Sequence, residues 1–194
     1  MSKLTRKDLY SLEQYAEIRD DFRAKVMAHK QNRKVAIGPN MSLYFEDLLT
    51  MQYQIQEMLR IEKIFEAVGI EEELATYNPL IPDGSNWKAT FMIEYSDVEE
   101  RKVALARMIG IEDQVWMQVA GHGKAFAIAD EDLEREDATK TSSVHFLRFE
   151  LTPEMVSSAK SGATVAVGVD HPEFGQQVDA VEQGTRDSLA EDLD

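Results

Sequence analysis

Tyr44-Phe45-Glu46-Asp47-Leu48-Leu49-Thr50-Met51-Gln52-Tyr53-Gln54-Ile55-Gln56-Glu57-Met58-Leu59-Arg60-Ile61-Glu62-Lys63-Ile64-Phe65-Glu66-Ala67-Val68 is the stretch on which the fold turns. At about 100° per residue, Leu48, Met51, Ile55 and Leu59 share one helical face. Phe45, Leu49, Tyr53, Ile61, Ile64 and Val68 occupy most other directions. A helix apolar nearly all round belongs inside a protein. The spacing therefore predicts one long buried helix, closed by Gly69.

Polar residues interrupt this rod. Gln52 lies in the apolar stripe, Gln56 and Arg60 follow at steps of four, and Glu62 lies near Ile55 and Leu59. A buried amide or carboxylate without a partner costs about 1–3 kcal/mol, so each must be bonded. Two arrangements satisfy that requirement. One is a polar pocket in which Gln52 and Gln56 donate hydrogen bonds and Arg60 meets an acid or an anionic ligand. The other is an internal network tying the helix to the proline loop, with Glu62 emerging at the edge of the core.

Before the rod, Thr5 with Asp8 and Ser11 with Gln14 mark two successive helix starts, and Asp20 or Asp21 offers a third. Val35-Ala36-Ile37 is a short apolar run closed by Gly38-Pro39-Asn40. After the rod, Tyr77-Asn78-Pro79-Leu80-Ile81-Pro82-Asp83-Gly84 reads as a shaped loop. The second half then repeats itself weakly. Phe91–Tyr95, a capped helix from Ser96, and Val115–Val119 form strand–helix–strand; Phe146–Glu150, a helix from Thr152-Pro153, and Thr164–Val169 do so again. Lys124-Ala125-Phe126-Ala127-Ile128 adds a strand between them. The expected fold is α+β: N-terminal helices with one long buried helix, packed on a mixed or antiparallel sheet of about five strands. Residues 1–174 form one domain in this reading, mainly helical over 1–84 and sheet-forming over 85–174. Residues 175–194 read as a disordered acidic tail.

Composition narrows the chemistry. The 194 residues carry 36 acids against 21 bases, a formal charge of −15, which repels nucleic acid. Residues 1–40 hold nine Lys/Arg against five Asp/Glu, whereas residues 130–194 hold five against 16. Arg23, Lys25, Lys30, Arg33 and Lys34, with His29 among them, form a basic cluster suited to an anionic ligand, an acidic partner or the chain's own acidic half. Cysteine is absent, which excludes a self-contained iron–sulfur or zinc–thiolate site. His29, His122, His145 and His171 lack the local spacing of di-iron or zincin helices, so no metal is assigned. No cofactor is named by any motif: there is no G-x-G-x-x-G, no G-K-[ST] and no G-x-S-x-G. No apolar run reaches membrane-spanning length and no signal segment follows Met1, so a cytoplasmic protein is expected.

Five stretches stand out together: Gln54–Arg60, Asn78–Gly84, Gly110-Ile111-Glu112-Asp113-Gln114-Val115-Trp116, Val144-His145-Phe146-Leu147-Arg148-Phe149-Glu150-Leu151, and Asp170-His171-Pro172. In these the chain resembles an uncharacterised bacterial family, domain of unknown function 3501, from about Leu4 to Pro172. The resemblance brings no catalytic residues. It implies a genomic setting beside rubrerythrin-like and iron–sulfur-cluster proteins. The function expected is that of an accessory or binding protein in a redox or oxidative-stress system, acting through protein contact. The alternative is a small-molecule binder or enzyme whose pocket gathers His29, Gln52, Gln56, Arg60 and Glu62.

Overall fold

A computed structural model describes residues 3–194. Its elements, in chain order, are α1 (Leu12–Lys30), β1 (Lys34–Ile37), β2 (Met41–Glu46), α2 (Leu48–Glu62), α3 (Ala67–Tyr77), β3 (Asn86–Ile93), α4 (Val98–Arg107), β4 (Val115–Val119), β5 (Lys124–Phe126), β6 (Ile128–Ala129), β7 (Val144–Glu150), α5 (Pro153–Lys160), β8 (Val165–Val169), β9 (Gln176–Val178) and α6 (Gln183–Ala190). The α+β class holds. The elements follow local chemistry in many places. Ser11 and Gln14 close the expected capping box at the start of α1. The Thr5–Asp8 box heads only one short turn, Arg6–Asp8. No third helix begins at Asp20 or Asp21, because Tyr15, Ile18, Phe22 and Val26 keep one stripe against the core through the whole of α1.

The rod of residues 44–68 is not one helix. Met41, Leu43 and Phe45 alternate inward on a strand, and the period changes from two to 3.6 at Asp47. Asp47 Oδ1 accepts from the Thr50 amide at 2.8 Å, and Thr50 Oγ1 accepts from the Asp47 amide at 2.9 Å. That box starts α2 four residues later than apolar content suggests. The helix stops at Lys63, whose φ of 56° is left-handed, and Gly69 lies inside α3 rather than closing α2. Nor is α2 enclosed all round. Met51, Ile55 and Leu59 pack with Leu4, Leu74 and Ile81, while Ile61 stands 61% exposed.

The strands form two antiparallel sheets instead of one, and the first of them takes β1 and β2 from the N-terminal part expected to be mainly helical. The sheet orders are β1-β2-β3-β7-β6 and β5-β4-β8-β9. The two strand–helix–strand repeats explain this. Each begins in the first sheet, crosses by its helix, and ends in the second. Thus β3 pairs β7 and β4 pairs β8, with Phe91 opposite His145 and Met117 opposite Val167. Including the flanking strands, β2-β3-α4-β4-β5 and β6-β7-α5-β8-β9 have the same connectivity, and the sheet orders interchange under an approximate two-fold. The expected strand Lys124–Ile128 is split: its first half joins the second sheet and its end joins the first. Inward residues of both sheets, among them Phe45, Trp87, Phe91, Phe149, Met117 and Val167, belong to one apolar cluster.

Residues 175–194 are structured rather than a disordered tail. Strand β9 extends the second sheet, and Val181, Leu189 and Leu193 are buried. Polar anchors complete the attachment. Trp87 Nε1 donates to the Leu189 carbonyl at 2.8 Å, and the buried Arg33 donates to Ser188 and to Asp192 Oδ2. These partners lie more than a hundred residues away, so the segment's own composition does not announce them.

Candidate functional site

The structure distributes the five residues singled out in the sequence over different tasks. Gln52 Nε2 donates to the Asp8 carbonyl at 2.6 Å. Gln56, wholly buried, accepts from the Tyr10 amide at 2.6 Å and donates to the Tyr10 carbonyl at 3.3 Å. Asn78 in the proline loop treats Leu4 the same way, at 2.8 and 2.9 Å. Two side-chain amides thus imitate a strand partner at Leu4 and Tyr10, the two ends of a segment whose middle bonds within its own short turn. Arg60 donates to Glu57, which also accepts from Tyr15 Oη and from Arg19 through two bonds at 2.8 and 2.9 Å. The Arg19 fork holds the Glu57 carboxyl down to about 2. Glu62 is exposed at the end of α2. His29 is elsewhere, with Nε2 2.5 Å from Asp47 Oδ2. The network tethers the N-terminal segment, where the sequence predicts an internal tie to the proline loop, and His29 belongs to the Arg33–Asp47–Asp192 cluster beside α6.

In that cluster two carboxylates share one buried guanidinium. Against its burial, Arg33 foremost, then bonds with the Thr50 amide and His29, hold the Asp47 carboxyl below the usual range. Burial pushes the Asp192 carboxyl up to about 6, and Asp47 adds repulsion while Arg33 opposes the rise.

A second polar cluster lies under β7. His145 faces inward opposite Phe91 and is wholly buried. Its Nδ1 lies 2.6 Å from Asp130 Oδ2, and its Nε2 lies 3.0 Å from Thr141 Oγ1 and 3.1 Å from the Ser142 carbonyl. Thr141 Oγ1 donates to Glu112 Oε2 at 3.1 Å. Burial pushes the Glu112 carboxyl up. Donor atoms of Glu112, Asp130 and His145 lie within 4.8 Å of one another, the spacing a metal would need. The carboxylates meet opposite nitrogens of the ring, however, so the donors bracket it instead of converging on one point. The arrangement ties the loop 130–141 to the core. Asp130 adopts a φ of 48° to serve it, and its other oxygen accepts from the Phe146 amide and Arg135.

Arg135 opens onto the outer face of the first sheet. There a cavity of about 300 Å³ lies between β3, β7, the proline loop and the loop 130–136. Tyr77, Pro79, Leu80 and Phe146 supply apolar walls, and Arg135 stacks 4.6 Å over the Phe146 ring. Lys88 and Arg148 stand directly opposite each other across the two strands. Like charges in that position repel. Arg148 is compensated by Glu131 through two bonds at 2.8 Å, and by Glu150. Lys88 makes no ion pair among the described residues and donates only to the Pro79 carbonyl. Burial pushes the Lys88 ammonium down against the attraction of Asp83 and Glu131, with Arg148 adding to the burial. Sequence reasoning missed Lys88, Arg135 and Arg148. The period-two pattern of Val144–Glu150 sets Phe146 and Arg148 on one face, but which residue of β3 opposes them is a matter of register.

A third feature is an apolar corner. Phe65, between α2 and α3, and Val68, in the first turn of α3, are 72% and 71% exposed, and Ile61 near the end of α2 is exposed as well. Phe65 also borders a groove of about 270 Å³ lined by Leu9, Leu12, Leu59, Ile64 and Ile70. Exposed Glu62, Glu66, Glu71 and Glu72 flank it.

Among known proteins, the model of the family described as protein of unknown function (DUF3501) matches residues 3–193. A crystal structure of a novel protein of unknown function from Burkholderia pseudomallei is 51% identical, superposes with a TM-score of 0.95, and is matched over 100% of both chains. No curated protein matches. Among the described residues no helix is long and apolar enough to cross a membrane.

Proposed function

The chain belongs to the DUF3501 family, and from that premise we propose that it is an accessory or binding protein of a redox or oxidative-stress system, working by contact with a rubrerythrin-like or iron–sulfur protein. The observation that supports this reading is the corner at Ile61, Phe65 and Val68. Three large apolar side chains, each more than 60% exposed, stand within eight residues of one another. Isolated apolar residues are ordinary on surfaces, but a grouped set rimmed by charge is the usual composition of a contact patch. The rim is acidic, so the matching surface presents apolar side chains inside a basic border. The bonds of Gln52 to Asp8, Gln56 to Tyr10 and Arg60 to Glu57 also suit a protein that uses its long helix for cohesion. The genomic setting implied by the family resemblance supplies the class of partner.

Co-elution of the full-length chain with the neighbouring rubrerythrin-like and iron–sulfur proteins, each purified and tested in oxidised and reduced form, tests the reading. A complex that is lost in Phe65→Asp and retained in an exposed control, Val103→Asp, is the expected result. Failure to associate in every redox state overturns it.

A further inference from the structure

We propose that the cavity on the outer face of the first sheet binds a small organic anion, one carrying a carboxylate or phosphate head on an aromatic or short aliphatic body, with Lys88 as the anchoring cation. This goes beyond the contact function and rests on a different face of the molecule. Three observations converge on it. The first is space: about 300 Å³, at the lower end of the range of small-molecule sites. Tyr77, Pro79, Leu80 and Phe146 line it with apolar surface suited to the body of such a ligand.

The second is charge placement. Strand register sets Lys88 against Arg148, and Arg135 reaches the same cavity from the loop. In a chain with a formal charge of −15 the general field disfavours anions, so an anion site needs local cations gathered together. Glu131 and Glu150 neutralise Arg148, and Asp130 and Asp132 neutralise Arg135. Among the described residues no carboxylate forms an ion pair with Lys88; Glu131 and Asp132 line the cavity but are engaged by Arg148 and Arg135, and Asp83 attracts the ammonium only from a distance.

The third is hydrogen bonding. An ammonium offers three donors, and the Pro79 carbonyl takes one of those on Lys88. The remaining two have no protein acceptor among the described residues and face solvent, since the bond to Pro79 is itself exposed, so a ligand can take them. A carboxylate or phosphate oxygen entering the cavity would supply both a hydrogen-bond acceptor and a charge partner there. It would also relieve the repulsion between Lys88 and Arg148. The guanidinium of Arg135 is held flat on Phe146 by Asp130 and Asp132, so it forms part of a fixed wall instead of swinging out to solvent.

The ligand class is testable with simple probes. Benzoate and phenyl phosphate present the anionic head on an aromatic body, benzamide and benzyl alcohol keep the body without the charge, and inorganic phosphate keeps the charge without the body. Titration of the full-length protein, followed by calorimetry and by methyl shifts of Leu80 and Leu147, is expected to show saturable binding of one or both aromatic anions. The neutral analogues should bind at least about tenfold more weakly, the usual scale of a charged hydrogen bond, and bare phosphate should lose a similar factor because it buries no apolar body. Lys88→Met should weaken the anion by a similar factor with its melting temperature kept, and Lys88→Arg should restore most of the binding. Lys102→Met, which removes an exposed cation on α4, should leave it unchanged. Equal binding of neutral and anionic probes, anion binding that survives Lys88→Met, or no shift at Leu80 and Leu147 with any probe would overturn the assignment. Should Lys88→Met fold poorly, Lys88→Gln replaces it, and a benzoate affinity equal to that of the wild type would overturn the assignment just as well.

Discussion

The two halves of the molecule are held together by different means. Between the sheets, inward residues from the strands and the C-terminal segment make one continuous apolar cluster. The N-terminal helices instead hold two small clusters, one around Met51, Ile55 and Leu59 and one around Tyr15, Phe22 and Val26. Between these run specific polar ties: Gln56 with Tyr10, Asn78 with Leu4, and Glu57 with Arg19 and Tyr15. A large cluster spreads the consequence of one substitution over many contacts, whereas a tie acts at one place. The helical half therefore carries the exposed apolar corner and depends on individual hydrogen bonds for its arrangement.

The largest effect separating the halves is expected from Phe91→Ala, which empties a fully buried position between the sheets. It should lower global stability by about 3–5 kcal/mol in denaturant unfolding. Next is Arg33→Met, which leaves Asp192 and Asp47 buried without their shared cation. A loss of about 3 kcal/mol is expected, with amide exchange rising first in α6. An unchanged α6 would mean that Trp87 and Leu189 suffice to hold the C-terminus. Gln56→Ala strands both backbone groups of Tyr10 and should cost about 1–2 kcal/mol. Its signature is early proteolysis within residues 4–10 while the sheets stay intact; simultaneous loss of both would mean that the two halves unfold as one unit.

Acid gives the subtlest comparison, because Glu57 and Asp192 respond with opposite sign. Glu57 is depressed in the folded state, so its contribution is complete above about 4.5 and is lost as pH falls toward about 2. Asp192 is raised, so its contribution is complete below 3.8 and is lost as pH rises through about 6. Between pH 6 and 4 the attachment of α6 should therefore tighten relative to the rest. Below pH 4 the α1–α2 contact should loosen, by about 1 kcal/mol given the partial solvation of Glu57. Residue-resolved hydrogen exchange across that range would reveal both trends, and parallel behaviour of α1 and α6 would contradict them.

Much of this is legible along the chain. The Ser11 box, the turns at Gly38 and Gly84, and both strand–helix–strand repeats depend on neighbours in sequence, and they appear, although Asp97 rather than Ser96 caps α4 and β3 runs Asn86–Ile93 rather than Phe91–Tyr95. The boundary inside Tyr44–Val68 is not legible from apolar content, since Phe45 fits a helical wheel and a strand equally well. Only the Asp47–Thr50 box separates the two, and it shows in the sequence when caps are weighed above content. The last twenty residues look disordered by composition because their few apolar side chains are supplemented by bonds from Arg33 and Trp87. That the polar residues of α2 have partners follows from their positions. Which partners they have does not, since Tyr10 and Asp8 approach from a separate segment. For the same reason Lys88 carries no signal in the sequence: a lone lysine in a strand becomes distinctive only when Arg148 is set beside it.

What the linear order of residues determined by itself is the α+β class, the doubled strand–helix–strand pattern and the absence of thiol chemistry, because these follow from periodicity, caps and composition within a few residues. Tertiary structure alone decided that the repeats feed two sheets, that α2 exposes one side, and that Lys88, Arg135 and Arg148 share a cavity. Those outcomes depend on strand register and on contacts across tens to a hundred residues, where a one-residue slip would turn every side chain to the opposite face.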